Sequence, residues 1–261
     1  MSPRLGARVT SMKAARTALV TGGTAGIGLR IAQALREQEY VVAVAGRRRE
    51  RVEALVQSGF VGYALDVADA TALRDAAEDL GRRMGKLDVL INAAGILRQG
   101  ALETQSVEAV RAVLAANLEG TILATQAMLP LLKIARGSVV NFSTGLVRRP
   151  AAGTAVYAAA KAGVEGFTRS MALELGPAGV RINCVAPSLV RSDIWISAGM
   201  TPARYEQMLA ERGAEYPLGR VGEPEDIASL VSFIISSRAE WITGAVIPID
   251  GGSSIGTVKR S

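Results

Sequence analysis

The sequence predicts an α/β fold in which a parallel sheet is covered by helices. Short runs rich in Val, Ile, Leu and Ala alternate with stretches of helical spacing along nearly the whole chain. That is the pattern of repeated βαβ units joined by right-handed crossovers. Some runs are apolar at every position, as in Val41-Val-Ala-Val-Ala45, which suits a strand buried on both faces. The first run also leads straight into a glycine cluster and then a helical stretch, Thr21-Gly-Gly-Thr-Ala-Gly-Ile-Gly28.

The first strand is expected over Thr17–Thr21, and helical spacing follows from Ile27 to Gln38. The second strand is Val41–Ala45, with a helix over 49–58 and a strand over 61–65. Residues 70–84 read as helix and 88–92 as strand. A long helical stretch over 107–132 should break at Pro130, because proline removes an N–H and crowds the preceding turn. Strand 138–143, helix 154–175 and strand 180–185 come next. Residues 189–217 lose periodicity and collect Trp195, Gly199, Met200, Pro202, Tyr205, Met208 and Tyr216, so they read as a loop. A helix over 224–235 and a last strand over 245–249 precede Asp250-Gly251-Gly252. No repeat, low-complexity tract or linker divides the chain, so one domain is expected over residues 15–252 with a tail at 253–261.

Composition excludes several kinds of chemistry. The 261 residues include one cysteine, Cys184, and no histidine. An internal disulfide, a zinc site of the usual ligands and a His-dependent nucleophile therefore cannot be assembled in one chain. A lone thiol fits a reducing, cytoplasmic setting. No stretch approaches the roughly 20 uninterrupted apolar residues of a membrane span. The net charge of +6 comes from the ends: Arg4, Arg8, Lys13, Arg16, Lys259 and Arg260 account for the whole excess. No basic face for nucleic acid or membrane is implied. Residues 1–14 read as a flexible basic leader; Ser2, Thr10 and Ser11 would suit a transit peptide, but there is no apolar core for secretion.

Tyr157 and Lys161 are the most informative pair. They stand four apart in an Ala-rich stretch, so a helix places them on one face. An ammonium beside a phenol favours the phenolate and is expected to lower the Tyr pKa. A chain without imidazole needs such a shuttle for acid–base chemistry near neutral pH. In the glycine loop, Gly22, Thr24, Gly26, Ile27 and Gly28 suit a pyrophosphate at a helix N-terminus. The spacing differs from G-x-G-x-x-G, and no Gly-Lys-Ser/Thr follows to make a triphosphatase loop. After the second strand, Gly46 stands where an NAD enzyme commonly has an acid, and Arg47 and Arg48 follow. Guanidinium groups clamp a 2′-phosphate that a carboxylate would repel, which favours NADP(H) over NAD(H).

Together these motifs resemble the classical short-chain dehydrogenases/reductases over essentially residues 15–252, most nearly members of the 3-oxoacyl-ACP reductase type. The resemblance rests on the glycine loop, Asp66-Val67, Asn92-Ala93-Ala94-Gly95, Asn117, Tyr157-x3-Lys161 and Asp250-Gly251-Gly252, in the family's order. It implies a single-domain, Rossmann-type doubly wound sheet of about seven strands. It also implies a homotetramer or homodimer built through long helices and the last strand. Asp66 and Val67 would lie beside adenine, and Asn92, Ala93 and Gly95 would line the cofactor. Pro187, Ser188, Val190 and Ser192 would contact its nicotinamide end. Tyr157 would be the general acid or base, Lys161 its partner and ribose contact, and Asn117 the holder of a relay water. The implied reaction is hydride transfer between nicotinamide and a carbonyl or secondary alcohol.

Two departures stand out. The family's Ser thirteen residues before the Tyr is Thr144 here, with Ser143 beside it. Thr144 is favoured, and Ser143 is the alternative. The family's Pro-Gly is Pro187-Ser188, where a serine would resist a positive φ. Substrate walls are expected from 96–103, 145–153 and 189–217, with Leu97, Leu146, Val147, Trp195, Met200 and Met208 as apolar candidates. Arg148 and Arg149 read as surface charge or contacts to an anion. A 3-oxoacyl thioester, steroid, sugar or small ketone all fit. A catalytically silent dinucleotide-binding sensor or scaffold is the alternative.

Overall fold

The computed structural model describes residues 15–192 and 194–258. The basic leader expected at 1–14 lies outside them. Among the described residues, seven strands form one parallel sheet in the order β3-β2-β1-β4-β5-β6-β7. They are β1 (Thr17–Thr21), β2 (Val41–Gly46), β3 (Val61–Ala64), β4 (Val89–Asn92), β5 (Ser138–Phe142), β6 (Arg181–Pro187) and β7 (Val246–Ile249). The order in which strands are added switches sides between β1 and β4, and ligands of open α/β sheets bind at the carboxyl ends of strands at such a switch point.

β1, β4 and β5 are buried at every position. Successive side chains alternate between faces, so two cores form. One gathers Val20, Val44, Ile91 and Val140 under α1 (Gly26–Glu37) and the late helix. The other gathers Leu19, Leu90, Val139 and Ile182 with Met84, Met128 and Leu132. The helices between are α2 (Arg49–Gln57), α3 (Ala70–Met84), α4 (Val107–Leu114), α5 (Gly120–Ala135) and α6 (Ala155–Leu175). Local chemistry sets their ends. Asp69 accepts from the N–H groups of Thr71 and Ala72 at the start of α3, and Gly85 ends it in the left-handed region.

Two expectations need correction. Pro130 does not break α5, which runs on to Ala135. Pro130 and Gln126, whose carbonyl loses its partner, are both exposed, so water replaces the missing bond. Residues 189–217 are not an irregular loop. They hold α7 (Ile194–Ser197) and the 14-residue α8 (Pro202–Glu215), before α9 (Pro224–Ile235). Thr201 caps α8 by accepting from Arg204 N–H, with Pro202 in the first turn, a start signal legible in the sequence. Its buried positions, Tyr205, Leu209 and Gly213, recur every four residues.

Between α4 and α5, residues Ala115–Glu119 form a π-turn, so 107–135 is one continuous helical rod. At 29 residues with a hydropathy of 1.2 it meets the length and composition of a membrane span. Buried Asn117, Thr121 and Thr125 give it a polar inner face toward the sheet. That face is continuous with a buried polar chain. Asn92 Nδ2 donates to Thr125 Oγ1 and to Asn141 Oδ1, both at 2.9 Å, and Asn141 Nδ2 donates to Thr168 Oγ1 at 3.0 Å. Asn141→Ala is expected to cost about 2–3 kcal/mol, because it orphans fully buried partners; urea unfolding should show this as a lower midpoint at unchanged slope.

Candidate active site

The carboxyl ends of β1, β4, β5 and β6 open into a cavity of about 710 Å³. Its lining includes Asn117, Thr144, Tyr157 and Lys161 together with Ile27, Ala93 and Gly95. Pro187, Ser188, Val190 and Ser192 form a further wall.

The glycine loop supplies one end. Gly22 has φ +67°, and a Cβ there would meet the backbone of Ala93 and Ala94 at 2.7–2.8 Å. Gly26 has φ +52°, and a Cβ on Gly28 would collide with the Gly22 carbonyl. α1 therefore starts directly against the loop. Ala25 gives its N-terminus no side-chain cap, and no acid occupies the first turn. Its free N–H groups form an anion cradle that side chains would fill. This end fits a dinucleotide pyrophosphate.

Beyond β2, Arg47 is 63% exposed at the side chain, with Nη1 3.9 Å from Asp66 Oδ2. Arg48 is the N-cap of α2 and makes no capping bond with its side chain. Val67 is buried, and Gly120 leaves room for it: a Cβ on Gly120 would strike Val67 at 2.5–2.9 Å. Thr24 reaches over this end, so a Cβ on Gly46 would meet its Oγ1 at 2.7 Å. Asn92 is placed differently from expectation. Its side chain lies in the buried polar chain, away from the cavity, and only the residues after it reach the lining.

At the other end the polar groups converge. Asn117 Nδ2 donates to the Ile96 and Val113 carbonyls at 2.8 and 2.9 Å, which fixes the amide. Its Oδ1 is buried without a hydrogen-bond partner. A Cβ on Gly95 would come within 2.5 Å of that oxygen and 3.6 Å of Lys161 Nζ. A side chain at 95 would crowd the orphaned acceptor, so the glycine leaves the Asn117 oxygen and the Lys161 ammonium close together at the cavity, where a donor such as water or a ribose hydroxyl would satisfy the oxygen.

Tyr157 and Lys161 share one face of α6, with Nζ 5.9 Å from the ring centroid. The expected lowering of the Tyr pKa is not what this geometry produces. Burial pushes the Tyr157 phenol up to about 12 and pulls the Lys161 ammonium down to about 8. The ammonium is too distant to offset the cost of a desolvated phenolate. The phenol is thus held as a neutral proton donor.

The two hydroxyl candidates separate clearly. Ser143 also lines the cavity, but its Oγ donates to Glu165 Oε1 at 2.8 Å and lies 3.4 Å from the Lys161 carbonyl, so its proton is already engaged. Thr144 Oγ1 accepts only from Leu146 N–H at 3.3 Å and keeps its own proton for the cavity. Glu165 was not anticipated. It is 6% exposed and paired with Arg169 at 3.1 Å. It continues the i, i+4 stripe of Tyr157 and Lys161, a spacing that could have flagged it.

Ser188 has no positive φ, so the expected backbone conflict does not arise. Leu97, Leu146, Trp195, Met200 and Met208 line the cavity, whereas Val147 does not. Arg149 lines it as well and donates to the Ser253 carbonyl at 2.9 Å; Arg148 reaches the Val246 carbonyl instead.

With this geometry in place, comparisons with known proteins agree. A family model described as enoyl-(acyl carrier protein) reductase matches residues 22–254. The 3-oxoacyl-(acyl-carrier-protein) reductase of Staphylococcus aureus is 38% identical over 252 residues, covering 92% of this chain and 99% of that protein. Carbonyl reductase family member 4 of Danio rerio is 34% identical over 243 residues, covering 91% and 97%. The ligand-free aldohexose dehydrogenase of Thermoplasma acidophilum superimposes with a TM-score of 0.86 at 28% identity, covering 95% of this chain and 97% of that one.

Thr144→Val should lower kcat by about a hundredfold, the scale of losing one donor to a developing oxyanion. Ser143→Ala should lower it far less, and steady-state rates with one carbonyl substrate would show the ranking.

Proposed function

The chain belongs to the short-chain dehydrogenase/reductase family, and we propose that it is an NADP(H)-dependent oxidoreductase acting on a carbonyl or secondary alcohol. One observation carries this reading: Tyr157, Lys161, Thr144 and the orphaned Asn117 oxygen converge on one cavity that also reaches Ile27 in the first turn of α1. The family works with a nicotinamide cofactor, which supplies the hydride when bound.

The residues supply the rest. The glycine loop and the α1 N-terminus hold the pyrophosphate, with Thr24 above them. Asp66 and Val67 border the adenine, and Arg47 and Arg48 take the 2′-phosphate. Ala93, Gly95, Pro187, Ser188, Val190 and Ser192 enclose the nicotinamide end. Thr144 donates to the substrate oxygen and orients it. Tyr157, neutral by burial, gives that oxygen its proton in reduction. Lys161 stabilises the phenolate that forms, and Asn117 holds the donor that restores the proton. The apolar wall of Leu97, Leu146, Trp195 and Met208 excludes water from the step.

A silent scaffold would have no use for this preserved proton path. Exposed Leu173 on α6 and Trp241 before β7 leave apolar surface on elements that support a homotetramer or homodimer. The single buried thiol, Cys184, supports a cytoplasmic setting.

Two outcomes test this reading. In a spectrophotometric screen of ketones, Tyr157→Phe should lose about 10²–10⁴ in kcat. Lys161 is charged below about pH 8 and neutral above it. The kcat/KM for reduction should therefore stay level below that pH and fall as pH rises through it, with Lys161→Met removing that limb. For the cofactor, Arg47→Ala with Arg48→Ala should raise the KM for NADPH about tenfold or more and leave NADH nearly unchanged. These exchanges test the assignment better than Gly46→Asp, whose Cβ would displace Thr24.

A further inference from the structure

Ser188, the departure from the family's glycine, belongs to a chain of three hydroxyls. Ser253 Oγ donates to Ser188 Oγ at 2.9 Å, and Ser188 Oγ lies 2.7 Å from the Tyr216 phenol oxygen, where either can donate. The Leu189 N–H also donates to that phenol oxygen, at 3.4 Å. Tyr216 is 7% exposed and Ser253 5%, and all three residues line the cavity.

Counting protons shows what the chain leaves over. Three hydroxyl protons serve two oxygen–oxygen contacts, so one proton has no acceptor. Because Ser253 donates inward, that proton sits on Ser188 or on Tyr216. Ser188 is half-buried and all three hydroxyls line the cavity, so the spare donor is free to meet an acceptor atom brought by a ligand.

Its place is next to the reacting centre. A Cβ on Gly145, the residue after Thr144, would lie 3.5 Å from Ser188 Oγ. The serine hydroxyl therefore lies within van der Waals reach of the Thr144 corner. The segments it joins are the end of β6, the end of α8 and the turn after β7, with Arg149 bracing the Ser253 carbonyl from the rim.

We propose that the Ser188–Tyr216–Ser253 chain determines specificity by donating to a second, neutral acceptor oxygen of the substrate, near the carbonyl held by Thr144 and Tyr157. The inference rests on the catalytic reading above for the position of the first oxygen.

The test is equilibrium binding, which does not depend on turnover. Titrations followed by Trp195 fluorescence, in a Trp241→Phe background, compare a 3-oxo ester with a ketone of matched length that lacks the ester. The wild-type pocket is expected to bind the ester about tenfold more tightly. Ser188→Ala combined with Tyr216→Phe should erase the preference. Equal binding of the two compounds, binding of neither, or a preference that survives the double exchange would overturn the proposal. The wild-type comparison stands even if the double variant fails to fold. A protein that prefers the ester but reduces neither compound would support this inference and defeat the catalytic reading instead.

Discussion

The site depends on a run of buried side-chain hydrogen bonds that ties β4 and β5 to two helices, one strand from the switch point. Thr168 on α6 receives the amide of Asn141 on β5, which receives that of Asn92 on β4, which also donates to Thr125 on α5. Thr125 and Thr121 then donate back along the rod to the carbonyls of Thr121 and Asn117, at 2.8 and 3.1 Å. Each element in this path also carries part of the reaction centre: Tyr157 and Lys161, the Ser143–Thr144 corner, Ala93–Gly95, and Asn117. In a low-dielectric interior such a network is strong when satisfied and costly when broken. It therefore sets the register of β4, β5, α5 and α6 more sharply than apolar packing alone could.

The π-turn at 115–119 follows from the same constraint. One extra residue in the turn lets Asn117 send its amide to Val113 and Ile96 while its oxygen faces Gly95 and Lys161. A regular α-helix would rotate that oxygen away. Desolvation then acts on the two titrating groups in opposite directions, raising the phenol and lowering the ammonium. Both shifts favour the neutral forms, yet below about pH 8 the centre rests with a neutral phenol beside a charged Lys161, and negative charge develops on Tyr157 only as its proton moves. Lys161 matters as a partner for that developing charge and leaves the resting Tyr157 neutral.

Hydroxyl groups are assigned by what else is within reach. Ser143 and Thr144 are neighbours in sequence with nearly the same chemistry and both line the cavity, yet buried Glu165 engages the proton of one and leaves that of the other available. Ser188 shows the converse: its hydroxyl enters a chain with more protons than internal acceptors. Close approach also matters at Gly95, where any side chain would strike the Asn117 oxygen.

The sequence by itself determined the alternating elements, the phosphate loop, the acid-free end of β2 and the Tyr157–Lys161 pair. All of these are written in local periodicity, glycine spacing and side-chain type, which act within a few residues of chain. The helix at 202–215 was also legible in Thr201-Pro202, though the surrounding aromatics and methionines masked it. Only the tertiary structure decided that Asn92 serves the sheet, that Ser143 is bonded to Glu165 while Thr144 is not, and that burial raises the Tyr157 pKa. It alone brought Ser188, Tyr216 and Ser253 together. Those outcomes depend on contacts between residues as far as 65 positions apart and on the exclusion of water, neither of which is encoded in any single stretch of chain.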